Sequence, residues 1–145
     1  MEEWMEKMRR WCSIQERSTF DVRRKLHPQG LSESIVNEVV DALISENFLS
    51  NERFLESYVR AHVEYKGWGP MRIMQGLRKK GFSGSQAENA VSSVPKARFK
   101  DLLAELIEKR SNELPQNRER VIRFLLNRGF HVNEILRMLE EAEAP

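Results

Sequence analysis

The sequence is poor in the residues that cross-link or interrupt a chain. It carries one cysteine, Cys12, in 145 residues. A lone thiol excludes an internal disulfide and suits a reducing cytosol. Glycine occurs seven times and proline five, too seldom for a loop-rich or low-complexity chain, and both fall where helices should end. There is no long uncharged apolar run, so no membrane-spanning segment is expected. The opening run Met1-Glu2-Glu3-Trp4-Met5-Glu6-Lys7 is acidic and lacks the apolar core of a signal peptide. A cytoplasmic location is therefore expected. No segment reads as a strand, so no glycine-rich phosphate loop follows one. His27, His62 and His131 have no spacing that would gather them on a metal. The carboxylates are scattered along helix surfaces and no nucleophile–base pair stands out. Neither catalysis, metal nor cofactor is expected.

What the chain does contain is 40% hydrophobic and 32% charged residues, the balance of a charge-covered helical protein. Its net charge is only +2, unevenly spread. Residues 1–50 hold 7 Lys and Arg against 9 Asp and Glu, residues 51–96 hold 8 against 4, and residues 97–145 hold 9 against 9. The basic excess lies in the middle third, which points to an anionic partner, though it is mild beside dedicated DNA binders.

A three-fold register organises the sequence around Gly30, Gly81 and Gly129. Eight residues before the glycine stand Val22, Ile73 and Val121, and four before it Leu26, Leu77 and Leu125. One after it come Leu31, Phe82 and Phe130, and six after it Val36, Ala87 and Ile135. Then follow Val39, Ala90 and Met138, Val40, Val91 and Leu139, and Leu43, Val94 and Ala142. The glycines are 51 and 48 residues apart, a period that suits a helical repeat. The fold class expected is all-α: three tandem three-helix repeats over residues 1–49, 50–95 and 96–145, about nine helices, stacked into one elongated, curved right-handed array.

Local signals place the helices. The first is expected over residues 3–16 with Trp4, Met8, Trp11 and Ile14 or Gln15 as its apolar face. Ser18 to Asp21 and Ser83 to Gln86 read as capping boxes, Ser32 as a cap, and Ser50 or Asn51 as another. His27-Pro28-Gln29-Gly30 should stop the second helix, since proline disfavours a helical His27 and Gly30 supplies a left-handed exit. Pro70 takes the first position of the fifth helix, where its missing amide costs nothing. The seventh helix is expected over residues 97–113, with Leu114-Pro115-Gln116-Asn117 as connector. Phe54 and Tyr58, four apart, read as core.

Trp11 to Ser18, Val22 to Leu26, Asn47 to Phe54, and Gly67-Trp68-Gly69 with Ile73 and Leu77-Arg78-Lys79-Lys80-Gly81-Phe82 together resemble the RecX regulators of RecA recombinase. The resemblance covers nearly the whole chain, is strongest from Phe48 to Phe82, and is loosest in the third repeat. It implies a non-enzymatic helical regulator that binds the RecA filament on DNA and mainly restrains strand exchange, ATP hydrolysis and repressor cleavage, tuning recombinational repair and the SOS response. A monomer is expected, with DNA contacted directly or through the filament.

Arg78, Lys79 and Lys80 close the fifth helix, and Arg23, Arg24 and Lys25 repeat the cluster in the first unit. They suit an acidic recombinase surface or DNA phosphates; the plainer reading is that cations complement a helix carboxyl end, worth about 0.3–1 kcal/mol each. Arg60, Lys66 and Arg72 join the candidate surface, as does Trp68, read first as packing over a repeat junction and second as an interface anchor. Arg118, Arg120 and Arg123 form a further cluster diluted by Glu113 and Glu119. Two other functions remain open at this point: a stand-alone DNA-binding module and a helical adaptor for another protein.

Overall fold

The computed structural model describes residues 2–144, and among them the chain forms nine α-helices and no strand. They are α1 Glu2–Ile14, α2 Thr19–Leu26, α3 Glu33–Ser45, α4 Asn51–Glu64, α5 Pro70–Lys79, α6 Gly84–Ser92, α7 Lys96–Lys109, α8 Arg118–Asn127 and α9 Val132–Glu143. Short 3₁₀ turns follow α2, at His27–Gln29, and α7, at Ser111–Glu113. No helix among the described residues is long and apolar enough to cross a membrane.

The sequence register is a burial register. Val22, Ile73 and Val121 are fully buried, as are Leu26, Leu77 and Leu125 one turn later. Beyond the glycine, Val36, Ala87 and Ile135 are equally inaccessible. The pattern fades at its far end, where Leu43 is buried, Val94 half-buried and Ala142 exposed. Gly30, Gly81 and Gly129 all have positive φ, 77°, 89° and 96°. After α5 and α8 the turn is closed by a pair of backbone bonds: Phe82 N–H to Leu77 and Gly81 N–H to Arg78, and Phe130 N–H to Leu125 and Gly129 N–H to Leu126. Such a left-handed exit satisfies helix carbonyls that would otherwise be orphaned. Asn47, at φ 65°, closes α3 in the same way, with Phe48 bonding Leu43 and Asn47 bonding Ile44.

Hydroxyl caps start the helices expected to have them. The Ser18 Oγ accepts the Asp21 amide at 3.1 Å while an Asp21 carboxylate oxygen accepts the Ser18 amide at 3.0 Å. Ser83 and Gln86 repeat the reciprocal pair. Ser32 caps α3, and Ser50 rather than Asn51 caps α4. The Asn51 side chain instead accepts the Thr19 amide, linking α4 to the start of α2.

Four local expectations are corrected. The buried face of α1 is Met5, Met8 and Cys12, whereas Ile14 is 72% exposed and Trp4 and Trp11 are half-buried. His27 keeps a right-handed helical conformation in spite of Pro28, because the chain tightens into a 3₁₀ turn rather than leaving the helix. The spacing of Ile35, Val36, Val39, Val40, Leu43 and Ile44 predicts one broad apolar stripe on α3, but Ile44 falls outside it and is 48% exposed. Helix α7 ends at Lys109, short of residue 113, and the Leu114–Pro115 peptide is cis.

By packing, the chain forms two compact units, Met1–Tyr58 and Val59–Pro145, with the division inside α4. The first unit is built on Met5, Met8, Cys12, Val22, Leu26, Val36, Val39, Val40, Leu43 and Leu49. Arg53 on the first turn of α4 belongs to it, its Nε bonding Glu16 at 3.0 Å and its other nitrogens the side chain and carbonyl of Asn47. In the second unit the buried residues run from Val59 and Val63 through Ile73, Leu77, Leu103 and Leu125 to Leu139. A leucine buried to this degree contributes about 1.5–3 kcal/mol through removal from water.

Candidate partner-binding surfaces

In the first unit, the three cations of α2 differ in their surroundings. The Arg23 Nη1 donates to Asn37 Oδ1 at 2.8 Å and lies 3.4 Å from Glu33, so its charge is partly spent on α3. Lys25 is exposed but sits 4.8 Å from the centre of the Trp11 ring. Arg17 covers the same ring at 4.1 Å. Arg24 is exposed and makes no hydrogen bond, ion pair or ring contact among the described residues.

In the second unit the candidates separate along α5. At its carboxyl end Arg78 and Lys79 are exposed and without such contacts among the described residues. Lys80, at the cap position, is half-buried. Ile73 and Leu77 on the opposite face hold the helix down, so the two outer cations project from a fixed support. Arg60 is exposed on α4.

The amino end of α5 lies about 14 Å away, taking 1.5 Å per residue, and its residues are engaged within the protein. The Trp68 ring packs 4.3 Å from the His62 ring and 4.3 Å from the Arg72 guanidinium. Arg72 Nη1 also donates to the Asn127 carbonyl at 3.0 Å. Arg128 returns the bond, its Nη1 reaching the Lys66 carbonyl at 2.6 Å, while the Lys66 side chain stays exposed. Between the two arginines the backbones touch. Gly69 N–H donates to the Arg128 carbonyl at 2.6 Å, and Met71 N–H to the Gly129 carbonyl at 3.0 Å. The carboxyl end of α8 thus caps the amino end of α5, supplying carbonyls to amides that lack partners within their own helix.

Sequence reasoning missed Arg128 and this junction. The available signal was three glycines, Gly67, Gly69 and Gly129, in connectors that must come close. The Arg118 candidate is taken up by Glu143 at 3.0 Å, while Arg120 and Arg123 are exposed. Among the described residues no three His, Cys, Asp or Glu side chains gather as a metal would require. Among the described residues, Arg53, Arg72 and Arg128 thus hold the protein together, whereas Arg24, Arg60, Arg78 and Lys79 are exposed and available to an anion.

Residues 50–91, from α4 almost to the end of α6, match the family model for the second three-helix domain of RecX. The regulatory protein RecX of Pseudomonas putida (strain GB-1) is 32% identical over 127 residues, covering 86% of this chain and 81% of that protein. The chain belongs to the RecX family of regulatory proteins. Two solved structures share the RecX fold with it. A crystal structure of regulatory protein RecX superposes with a TM-score of 0.79 at 24% identity, over 94% of this chain and 70% of that one. RecX from Lactobacillus salivarius gives a TM-score of 0.76 at 23% identity, over 97% of each chain. The stretch matched by the RecX family model carries Arg60, Lys66, Trp68, Arg72 and the Arg78–Lys80 cluster.

Proposed function

We propose that this RecX chain binds the RecA recombinase filament on DNA and mainly inhibits it, limiting ATP hydrolysis, strand exchange and co-protease action. It acts in the cytoplasm, by binding rather than catalysis, and so tunes recombinational repair and the SOS response. The observation that supports this reading is the pair Arg78 and Lys79. They are exposed on a helix whose other face is locked into the core, and no carboxylate of the chain neutralises them among the described residues. Within a family of regulators, uncommitted cations on rigid supports suit an acidic protein face or the phosphates beside it. Several weak contacts on one filament then act together through effective concentration.

The test adds the protein to RecA assembled on single-stranded DNA with ATP and follows ATP hydrolysis and strand exchange. Both rates should fall as the protein is titrated in. Unchanged rates under conditions where binding to the filament is demonstrated would remove the inhibitory role. A second reading, direct DNA binding, draws on the same exposed cations and predicts affinity for bare DNA that drops steeply with salt in the absence of RecA.

A further inference from the structure

The second unit carries a groove between the amino ends of α7 and α9 that none of the candidate cations above lines. Its floor is apolar, made by Pro70, Phe99, Leu103 and Phe130, and it encloses about 570 Å³. Leu103 and Phe130 are buried beneath it and Phe99 is half-buried. That volume accommodates a few large side chains, within the range of ligand-sized clefts. We propose that this groove docks an acidic peptide segment of a partner protein, inserting apolar side chains between Phe99 and Phe130 and laying its carboxylates along α7.

The charge around the floor selects the partner. Lys96 and Lys100 stand exposed on one lip, and neither has a hydrogen bond or ion pair among the described residues. On the other lip Arg137 is paired with Glu134, the one acidic residue lining the groove, so that side is close to neutral. His131 and Asn133 complete it. The helix ends add to the same sign. Neither α7, which follows Pro95, nor α9, which follows His131, has a side-chain cap, in contrast to α2, α3 and α6. The partial positive charge of both amino ends therefore remains at the border of the cleft. A basic segment would meet Lys96 and Lys100 with like charge, and a wholly polar one would leave the exposed part of Phe99 in water. The surface goes beyond the recombinase reading and does not depend on which protein supplies the segment.

The experiment uses the full chain and a short fluorescein-labelled peptide in which Asp and Glu alternate with Leu and Phe, read by fluorescence anisotropy. Two control peptides replace the acidic residues with Lys or the apolar residues with Ser. A single-stranded oligonucleotide is the third control. The acidic apolar peptide should bind, each control peptide should bind at least about tenfold more weakly, and Lys96→Glu with Lys100→Glu should weaken the first peptide by about tenfold or more. Amide chemical-shift changes in the unaltered protein should centre on Phe99, Lys100 and His131, a readout that needs no variant. Absence of binding, equal binding by the charge-reversed chain, equal binding of the lysine peptide, or shifts centred elsewhere would overturn the proposal. Loss of oligonucleotide binding in the double variant with peptide binding intact would assign the groove to nucleic acid and overturn it too.

Discussion

A Cβ placed on Gly129 would lie 2.4 Å from the Arg72 Cβ and 2.5 Å from the Arg72 backbone nitrogen, so these two residues touch without room for a methyl group. Gly129 also has φ +96°, which an L side chain resists. Gly69, on the facing strand of backbone, would bring a Cβ to 2.7 Å from the Gly129 carbonyl oxygen. Gly30, its counterpart in register, has φ +77° but open space around it. Gly30→Ala should therefore cost only the left-handed strain, about 1–2 kcal/mol. Gly129→Ala adds overpacking against backbone that cannot rotate away, for a total of about 2–5 kcal/mol. Urea denaturation of the two variants checks this, and equal losses would mean that the α5–α8 junction is looser than its geometry.

The three register leucines share one environment. Leu26, Leu77 and Leu125 are each fully buried four residues before their glycine. Leu77→Ala should destabilise by about 2–5 kcal/mol, and the other two substitutions by similar amounts. An unchanged denaturation midpoint for Leu77→Ala would contradict its place in the core.

Ser18 is fully buried, and its hydroxyl and backbone both bond Asp21. Removing the hydroxyl leaves the Asp21 amide of α2 without its acceptor at a partly buried helix start. Ser18→Ala should cost about 1–2 kcal/mol, at the upper end for a helix cap. Ser32→Ala, at an exposed cap of the same kind, should cost less, about 0.5–1 kcal/mol. Thermal melts of the pair would test the ordering.

Local chemistry made much of this fold legible in the sequence. The capping boxes, the proline at the start of α5 and the left-handed glycines each depend on residues within one turn of one another. The face of α1 was misjudged because two apolar stripes overlap on it. Trp4 and Trp11 carry more bulk than Met5, Met8 and Cys12, yet they lie at the rim with Lys7 4.8 Å from Trp4 and Arg17 4.1 Å from Trp11. A tryptophan covered by a cation gains from staying near water, which periodicity does not register. The cation clusters were visible, but their separation into structural and available charges was not. Arg72 and Arg78 are six residues apart on one helix; the distant Asn127 carbonyl and the Gly129 backbone set Arg72 apart. Contacts between residues more than fifty positions apart leave no local trace.

Cys12 provides a pH test. Burial pushes its thiol above the usual value, against a smaller opposing pull from Arg17. The folded state therefore favours the neutral thiol. Its contribution to stability is fully present below the unfolded value near 9.0 and is lost as pH rises from there through the higher folded value, because the unfolded chain releases its proton first. The urea midpoint should fall more steeply above pH 9 for the natural chain than for Cys12→Ala. Parallel slopes would show that the thiol ionises in the fold as readily as out of it. Reaction with a disulfide reagent should likewise be slow in buffer and fast in urea, since the thiolate is the nucleophile.

Arg78 and Lys79 separate a helix-end role from a partner-binding role. As complements to the negative end of α5, they should each contribute about 0.3–1 kcal/mol to stability and nothing to binding. As contacts to a filament, their reversal should leave the fold nearly untouched, because both are exposed and unpaired among the described residues. The double variant Arg78→Glu, Lys79→Glu should then lose inhibition of RecA ATP hydrolysis by about tenfold or more in half-maximal concentration, with a shallower salt dependence than the natural chain. Arg120→Glu with Arg123→Glu, on α8, is the matched control of equal charge change. If both pairs reduce inhibition equally, the effect is one of net charge and α5 has no special part in it. If the α5 pair lowers stability while inhibition stays intact, the cluster is a helix cap and the filament is held elsewhere.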